Sequence, residues 1–217
     1  MDQNALKKQV AQAALAYIED DMIIGVGTGS TTAYFIEALR ACSKNIMGAV
    51  PSSQATLAQL KKAGIPILDI NAGPIAVYID SADECTPHRQ LIKGGGGALT
   101  REKIVAACSE KFICIIDERK YVKVLGAFPL PIEVIPMARS YVAREIVKLG
   151  GNPILREHFT TDNGNQIVDV YNLNLTDPSH TEKIINNITG VVCNGLFAVK
   201  PADIVLLATP SEIIQLQ

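Results

Sequence analysis

Residues 93 to 103 read Lys-Gly-Gly-Gly-Gly-Ala-Leu-Thr-Arg-Glu-Lys. Four successive glycines leave bare backbone N–H groups that a bound molecule can approach, and positive φ costs little there. Ile104, Val105 and Cys108 follow at apolar helical spacing, so the loop feeds a helix N-terminus, an end that attracts anions. Glu102 falls in the first turn of that helix and Lys93 on the opposite lip of the loop. A carboxylate and an ammonium beside backbone donors form a general base facing an electrostatic stabiliser. The same residues also fit a glycine-rich turn capped by a solvated glutamate, and the spacing alone leaves both readings open.

Two further segments carry candidate chemistry. Gly25-Val26-Gly27-Thr28-Gly29-Ser30-Thr31-Thr32 follows an apolar run and opens a helical pattern, as a dinucleotide fingerprint would. Its spacing is G-x-G-x-G, and the next strand ends in Val50-Pro51-Ser52-Ser53 with no acid to hold a ribose hydroxyl, which argues against NAD. No Gly-Lys-Ser/Thr occurs, so a Walker loop is excluded. What survives is a turn whose hydroxyls and N–H groups suit a single phosphate, or a purely structural helix cap, or both. Asp80-Ser81-Ala82-Asp83-Glu84 places three acids within five residues at a strand's end. They lack Cys/His partners and EF-hand glycine spacing, so no metal is expected there. A solvated Asx-type loop accounts for such a segment, whereas acids near a phosphate site make sense if they exchange protons with sugar hydroxyls.

The totals narrow the class. At 217 residues, 48% hydrophobic and 19% charged, the chain can bury a core of ordinary size. A formal charge of -2, a pI near 5.9 and no Lys/Arg cluster beyond a pair argue against nucleic acid as a partner. No apolar run is long enough to span a bilayer, and the start lacks the apolar stretch of a signal peptide. Cys42, Cys85, Cys108, Cys114 and Cys193 are odd in number and never spaced C-x-x-C, which reads as reduced thiols in the cytoplasm.

Short apolar strands alternate with helices as far as about residue 127, which predicts an α/β domain with a Rossmann-like, mostly parallel sheet. The strands expected there are Met22–Val26, Ile46–Val50, Ile65–Asp69, Ile75–Asp80 and Phe112–Ile116. All three chemical segments fall in loops after strands, where such sheets bind ligands. After Phe128-Pro129-Leu130-Pro131 the order becomes β-α-β-β-α-β, a smaller ferredoxin-like α+β domain over 128–199, with Asn163-Gly164 as a hairpin turn. The apolar run Ile204–Ala208 is expected to return to the first sheet, giving a catalytic domain of 1–127 plus 200–217 and a small domain that is a possible oligomer interface.

Val-Gly-Thr-Gly-Ser-Thr at 26–31, Asp-x-Ala-Asp-Glu at 80–84, the glycine-loop block at 93–103, Phe-Pro-Leu-Pro-x-Glu-Val at 128–134 and Thr-Asp-Asn-Gly-Asn at 161–165 together resemble the type A ribose-5-phosphate isomerases, in the family's order. The resemblance implies interconversion of D-ribose 5-phosphate and D-ribulose 5-phosphate in the pentose phosphate pathway, without a cofactor, by a homodimer or homotetramer. It implies Glu102 as the proton-transferring base and Lys93 with the N–H groups of Gly94, Gly95 and Gly96 as oxyanion stabilisers. Asp80 and Asp83, within the substrate-binding stretch Asp80-Ser81-Ala82-Asp83, would open the ring and exchange hydroxyl protons. Thr28, Gly29, Ser30 and Thr31 would bind the phosphate end, with Lys120 as a further family lysine and Lys7 as a weaker phosphate candidate. Ser81 stands where the family usually has glycine, which would strain the loop if φ there must be positive. A non-catalytic sugar-phosphate sensor on the same scaffold is the alternative, and the presence of both Glu102 and Lys93 argues against it. An amino-sugar-phosphate deaminase or acyl-CoA transferase is disfavoured by the small β-α-β-β-α-β insert.

Overall fold

The computed structural model describes residues 2–217, which fold into two compact units. Unit 1 comprises Met1–Ala82, Arg101–Tyr121 and Ala202–Gln217; unit 2 comprises Asp83–Thr100 and Val122–Pro201. The glycine loop, placed by sequence in the larger domain, thus belongs to the smaller unit.

Unit 1 begins with α1 (Gln3–Ala14), capped by the Asp2 carboxylate and burying Leu6, Val10, Ala11 and Ala14 on one stripe. Then follow β1 (Ile23–Val26), α2 (Ser30–Ala41), β2 (Gly48–Pro51), α3 (Gln54–Ala63) and β3 (Ile75–Asp80). Ser53 caps α3 by accepting from the Thr56 N–H, and Gly64 closes it at φ 75°. The expected strand Ile65–Asp69 does not form: a lone Ala49–Ile67 bridge remains. Pro66 has no N–H to give a ladder, and the Asp69 carboxylate accepts from the Asn71 N–H, which turns the chain away.

Unit 2 opens with the short strands β4 (Glu84–Cys85) and β5 (Leu91–Ile92). Helix α4 (Leu99–Cys108) starts in unit 2 and continues into unit 1, where β6 (Ser109–Asp117) follows. Unit 2 resumes with β7 (Leu130–Val134), α5 (Arg139–Lys148), β8 (Asn152–Leu155), β9 (Gln166–Tyr171), α6 (Pro178–Asn186), β10 (Val191–Asn194) and β11 (Leu196–Phe197). The chain ends in unit 1 with β12 (Ile204–Ala208) and β13 (Ile213–Leu216), the latter not foreseen from sequence.

The six-stranded sheet of unit 1 has the order β13-β12-β6-β3-β1-β2, parallel except for β13. Order reverses between β1 and β3, the switch point at which doubly wound sheets bind ligands outside the strands' carboxyl ends. Ile24, Val26, Val77 and Ile79 pack with α1 and α2 on one face. The alternate residues Gly25, Tyr78 and Asp80 therefore face the other side. In unit 2 the antiparallel order β10-β7-β9-β8 is the ferredoxin-like arrangement, with Val142, Ile146 and Ile185 of α5 and α6 packed on Ile132, Val134, Val168 and Val170. The expected tight hairpin at Asn163-Gly164 is a longer connection, because β8 stops at Leu155 and the side chains of 161–165 turn to Glu133 instead of extending the ladder.

Candidate active site

In unit 1 the turn after β1 is built around Asp80, the last residue of β3, which is 0% exposed. Its Oδ1 accepts from the N–H groups of Thr28 (3.0 Å) and Ser81 (2.7 Å) and from the Thr32 hydroxyl (3.3 Å), while the Tyr78 hydroxyl donates to Oδ2. Tyr78 and Asp80 are two apart on one strand, which puts both on the same face. The Thr28 hydroxyl meets those of Ser52, Ser53 and Thr56 at 2.9, 2.8 and 3.1 Å, and Thr56 donates to the Gly27 carbonyl at 2.6 Å. Thr28 thus turns its side chain into a hydroxyl cluster, and Thr31 is buried, while Gly29 and Ser30 are exposed at the head of α2. Lys7 Nζ donates to Ser30 Oγ at 2.9 Å, so the first helix brings its ammonium to that same head. A Ser81 in the left-handed region would have been strained; its φ is not positive, so the residue stands there without that cost.

Helix α4 lies against the opposite face of the sheet from α1. A Cβ on Gly25 would come within 2.6 Å of Val105 Cγ1 and 2.8 Å of Tyr78 Cδ2, so glycine lets the helix approach the strand. Glu102 is one turn before Val105 on the same side, 3% exposed, in the first turn of α4. Burial first, then the charges of Asp80 and Glu102, push the Tyr78 phenol well above its ordinary value. The phenol therefore stays protonated and donates to Asp80. Lys120 is half-buried in the short 3-10 turn Glu118–Lys120 after β6. A cleft of about 510 Å³ in this unit is mostly apolar, lined by Val50, Ile67, Ile70 and Ile104 together with Asp69 and Arg101.

In unit 2 Lys93 follows β5, is 2% exposed, and bonds its N–H to the Gly195 carbonyl at 2.9 Å. Its Nζ lies 5.6 Å from the centre of the Phe197 ring. Gly94 (φ 104°) and Gly97 (φ 80°) bound a tight turn closed by Gly97 N–H to Gly94 O at 2.9 Å, with Gly96 exposed at its tip. Both need a left-handed backbone, and a Cβ on Gly97 would lie 2.1 Å from Phe159. Asp83 accepts from the Gly95 N–H at 2.8 Å. Behind the loop, Arg156 donates to the carbonyls of Gly94 (3.3 Å) and Gly95 (3.2 Å) and is held by Asp169 through Nε (2.9 Å) and Nη2 (2.6 Å). Tying the carbonyls back in this way helps fix the orientation of the loop's amides. Glu84 accepts from the N–H groups of Gly126 (2.7 Å) and Phe128 (2.6 Å), which makes it a loop anchor. Among the described residues no group of three or more His, Cys, Asp or Glu could hold a metal ion.

Unit 1 therefore gathers Thr28 to Thr31, Asp80, Ser81, Ala82, Glu102 and Lys120, and unit 2 gathers Asp83, Lys93 and Gly94 to Gly96. The family model for ribose 5-phosphate isomerase A (phosphoriboisomerase A) matches residues 48–212. The chain belongs to this family. It is 48% identical to ribose 5-phosphate isomerase A from Neisseria gonorrhoeae, with a TM-score of 0.97 over 99% of this chain and 97% of that one. The isomerase from Methanocaldococcus jannaschii matches at 38% identity and TM-score 0.94 over all of both chains. A D-ribose-5-phosphate isomerase solved with phospho-erythronic acid matches at 40% identity and TM-score 0.95, again over all of both chains.

Sequence reasoning missed Tyr78, the Ser52-Ser53-Thr56 hydroxyls, Arg156 and Glu133. Tyr78 was recoverable, since a residue two before a strand-terminal acid shares its face. Arg156 lies 61 residues from Gly95, and nothing in its own neighbourhood points to the loop.

Proposed function

We propose that this chain interconverts D-ribose 5-phosphate and D-ribulose 5-phosphate, a step of the non-oxidative pentose phosphate pathway. The observation that carries the reading is 40% identity over the whole chain to an isomerase that holds phospho-erythronic acid, a phosphorylated sugar acid. It supports an enzyme over a non-catalytic sensor. Glu102, buried at the start of α4, removes the C2 proton of the open-chain aldose, and the electron pair forms the enediolate double bond with charge on O1. Lys93 and the N–H groups of Gly94 and Gly96 stabilise that charge, whereas the Gly95 N–H, expected from sequence to share in this, is engaged by Asp83. The O2 proton passes to O1 with Asp83 as the carrier, and Glu102 returns its proton to C1, so no net proton is gained or lost. Asp83 also assists ring opening. The fully buried, four-times-bonded Asp80 is better suited to holding the turn after β1 than to exchanging protons, and we assign it that part.

The phosphate end is assigned to the exposed head of α2 at Gly29 and Ser30, with the Lys7 ammonium beside it and Lys120 as a further cation. Each acid of the 80–84 segment accepts backbone N–H groups, and the reading assigns none of them to a metal. Exhaustive chelation is expected to leave turnover unchanged, and a loss restored by divalent metal would contradict that. Exposed Met137 (94%), Val147 and Ile154 in unit 2 support a homo-oligomer, a dimer or tetramer, and the free cysteines support a cytoplasmic location. A monomeric mass at working concentration, with full activity, would contradict the oligomer. A coupled assay with ribose 5-phosphate tests the activity: appearance of ribulose 5-phosphate is expected, and its absence with correctly folded protein would overturn the reading.

A further inference from the structure

We propose that Glu133 is a positioning residue for proton transfer: a buried carboxylate that locks Thr100, and with it the start of α4, so that Glu102 is held in register. On β7 the residues Leu130, Ile132 and Val134 enter the unit 2 core, which puts Glu133 on the opposite face, 0% exposed. Four neutral donors converge on it. The Thr100 hydroxyl donates to Oε2, and the Thr161 hydroxyl (2.9 Å), Asn163 Nδ2 (3.1 Å) and Asn165 Nδ2 (2.8 Å) donate to Oε1. Asn163 Nδ2 also lies 3.4 Å from Oε2, so both carboxyl oxygens accept from this set. A glutamine would turn an NH2 group toward some of these donors.

The donors are themselves preorganised. The Thr161 hydroxyl accepts from the N–H groups of Asn163 (3.2 Å) and Asn165 (3.1 Å), and Gly164 N–H bonds to Thr161 O at 2.9 Å, so 161–165 is wound about one side chain with both amides presented to Glu133. A buried network satisfied to this degree rigidifies what it touches. What it touches is the first turn of α4, because Thr100 lies one residue past the helix's first and two before Glu102. The blocks at 128–134 and 161–165, which the reaction itself does not use, thereby acquire a part in it.

This rests on Glu102 being the base, and the test keeps the two claims apart. Thr100→Val keeps the shape and removes the hydroxyl, whereas Thr100→Ser keeps the hydroxyl. Expected is a fall in kcat of about 10²-fold for Thr100→Val with KM little changed, read at a temperature where the variant is fully folded, since a buried carboxylate that loses a donor also lowers the melting temperature, and a small misplacement of a catalytic group costs about that much in rate. Thr100→Ser should recover most of it. Glu133→Gln should copy the Thr100→Val pattern if it folds; the Thr100 pair decides the matter if it does not. Near-parent kcat for Thr100→Val, equal impairment of both Thr100 variants, or a loss that tracks unfolded fraction would each overturn the proposal. Glu102→Gln assayed alongside reports on the base alone.

Discussion

The Asp80 carboxylate fills the space beside Gly27: a Cβ on residue 27 would lie 1.9 Å from both Cγ and Oδ1 of Asp80. The glycine of the turn is therefore required by the acid at the end of the neighbouring strand, and the two segments are one device.

Gly27→Ala should push Asp80 off the Thr28 and Ser81 amides. Overpacking of this kind costs about 1–3 kcal/mol. The loosened turn should raise KM by about tenfold, equivalent to about 1.4 kcal/mol of binding. Urea unfolding and steady-state kinetics check both, and an alanine variant with parent KM and stability would show that Asp80 does not depend on this packing.

Ser81 lies in an ordinary backbone region, so glycine there only adds freedom to the unfolded chain. Ser81→Gly should lower stability by about 0.4–1 kcal/mol and leave turnover unchanged. A shift of the denaturation midpoint upward would contradict this, as would lost activity, which would mean that the hydroxyl makes a contact with substrate.

Tyr78 is held protonated by burial and by two nearby carboxylates. Its folded pKa is raised, so its contribution is fully present below the unfolded value of about 10 and is lost as pH climbs above that value, where the unfolded chain ionises and the folded one does not. Tyr78→Phe should lose about 1–3 kcal/mol near neutrality, because buried Asp80 loses a donor. It should also lack part of the alkaline decline of the parent. Unfolding midpoints of both proteins near neutrality and at about pH 11 measure this, and parallel curves would contradict it.

The fold class was legible because alternation of short apolar strands with helices leaves few arrangements. Gly27, Asp80 and Glu102 were legible for another reason: each stands at the end of an element whose start and stop are written in local spacing. The pairing of Gly27 with Asp80 was not, nor the role of Asp80 as an anchor, since both follow from which strands become neighbours. Glu133 reads in sequence as one acid in a strand, and its four donors come from two distant segments. Pro66 misled in the other direction, because an apolar run around it has the composition of a strand without the donors of one.

Glu102 is proposed to carry the proton between C1 and C2. Glu102→Gln keeps the side chain's shape but cannot accept a carbon-bound proton. Turnover of ribose 5-phosphate should fall by about 10²–10⁴-fold, the usual contribution of a general base. Washout of the substrate's C2 hydrogen into solvent should fall with it, while ribose 5-phosphate still binds. Near-parent turnover, or C2 exchange that continues at the parent rate, would contradict the assignment.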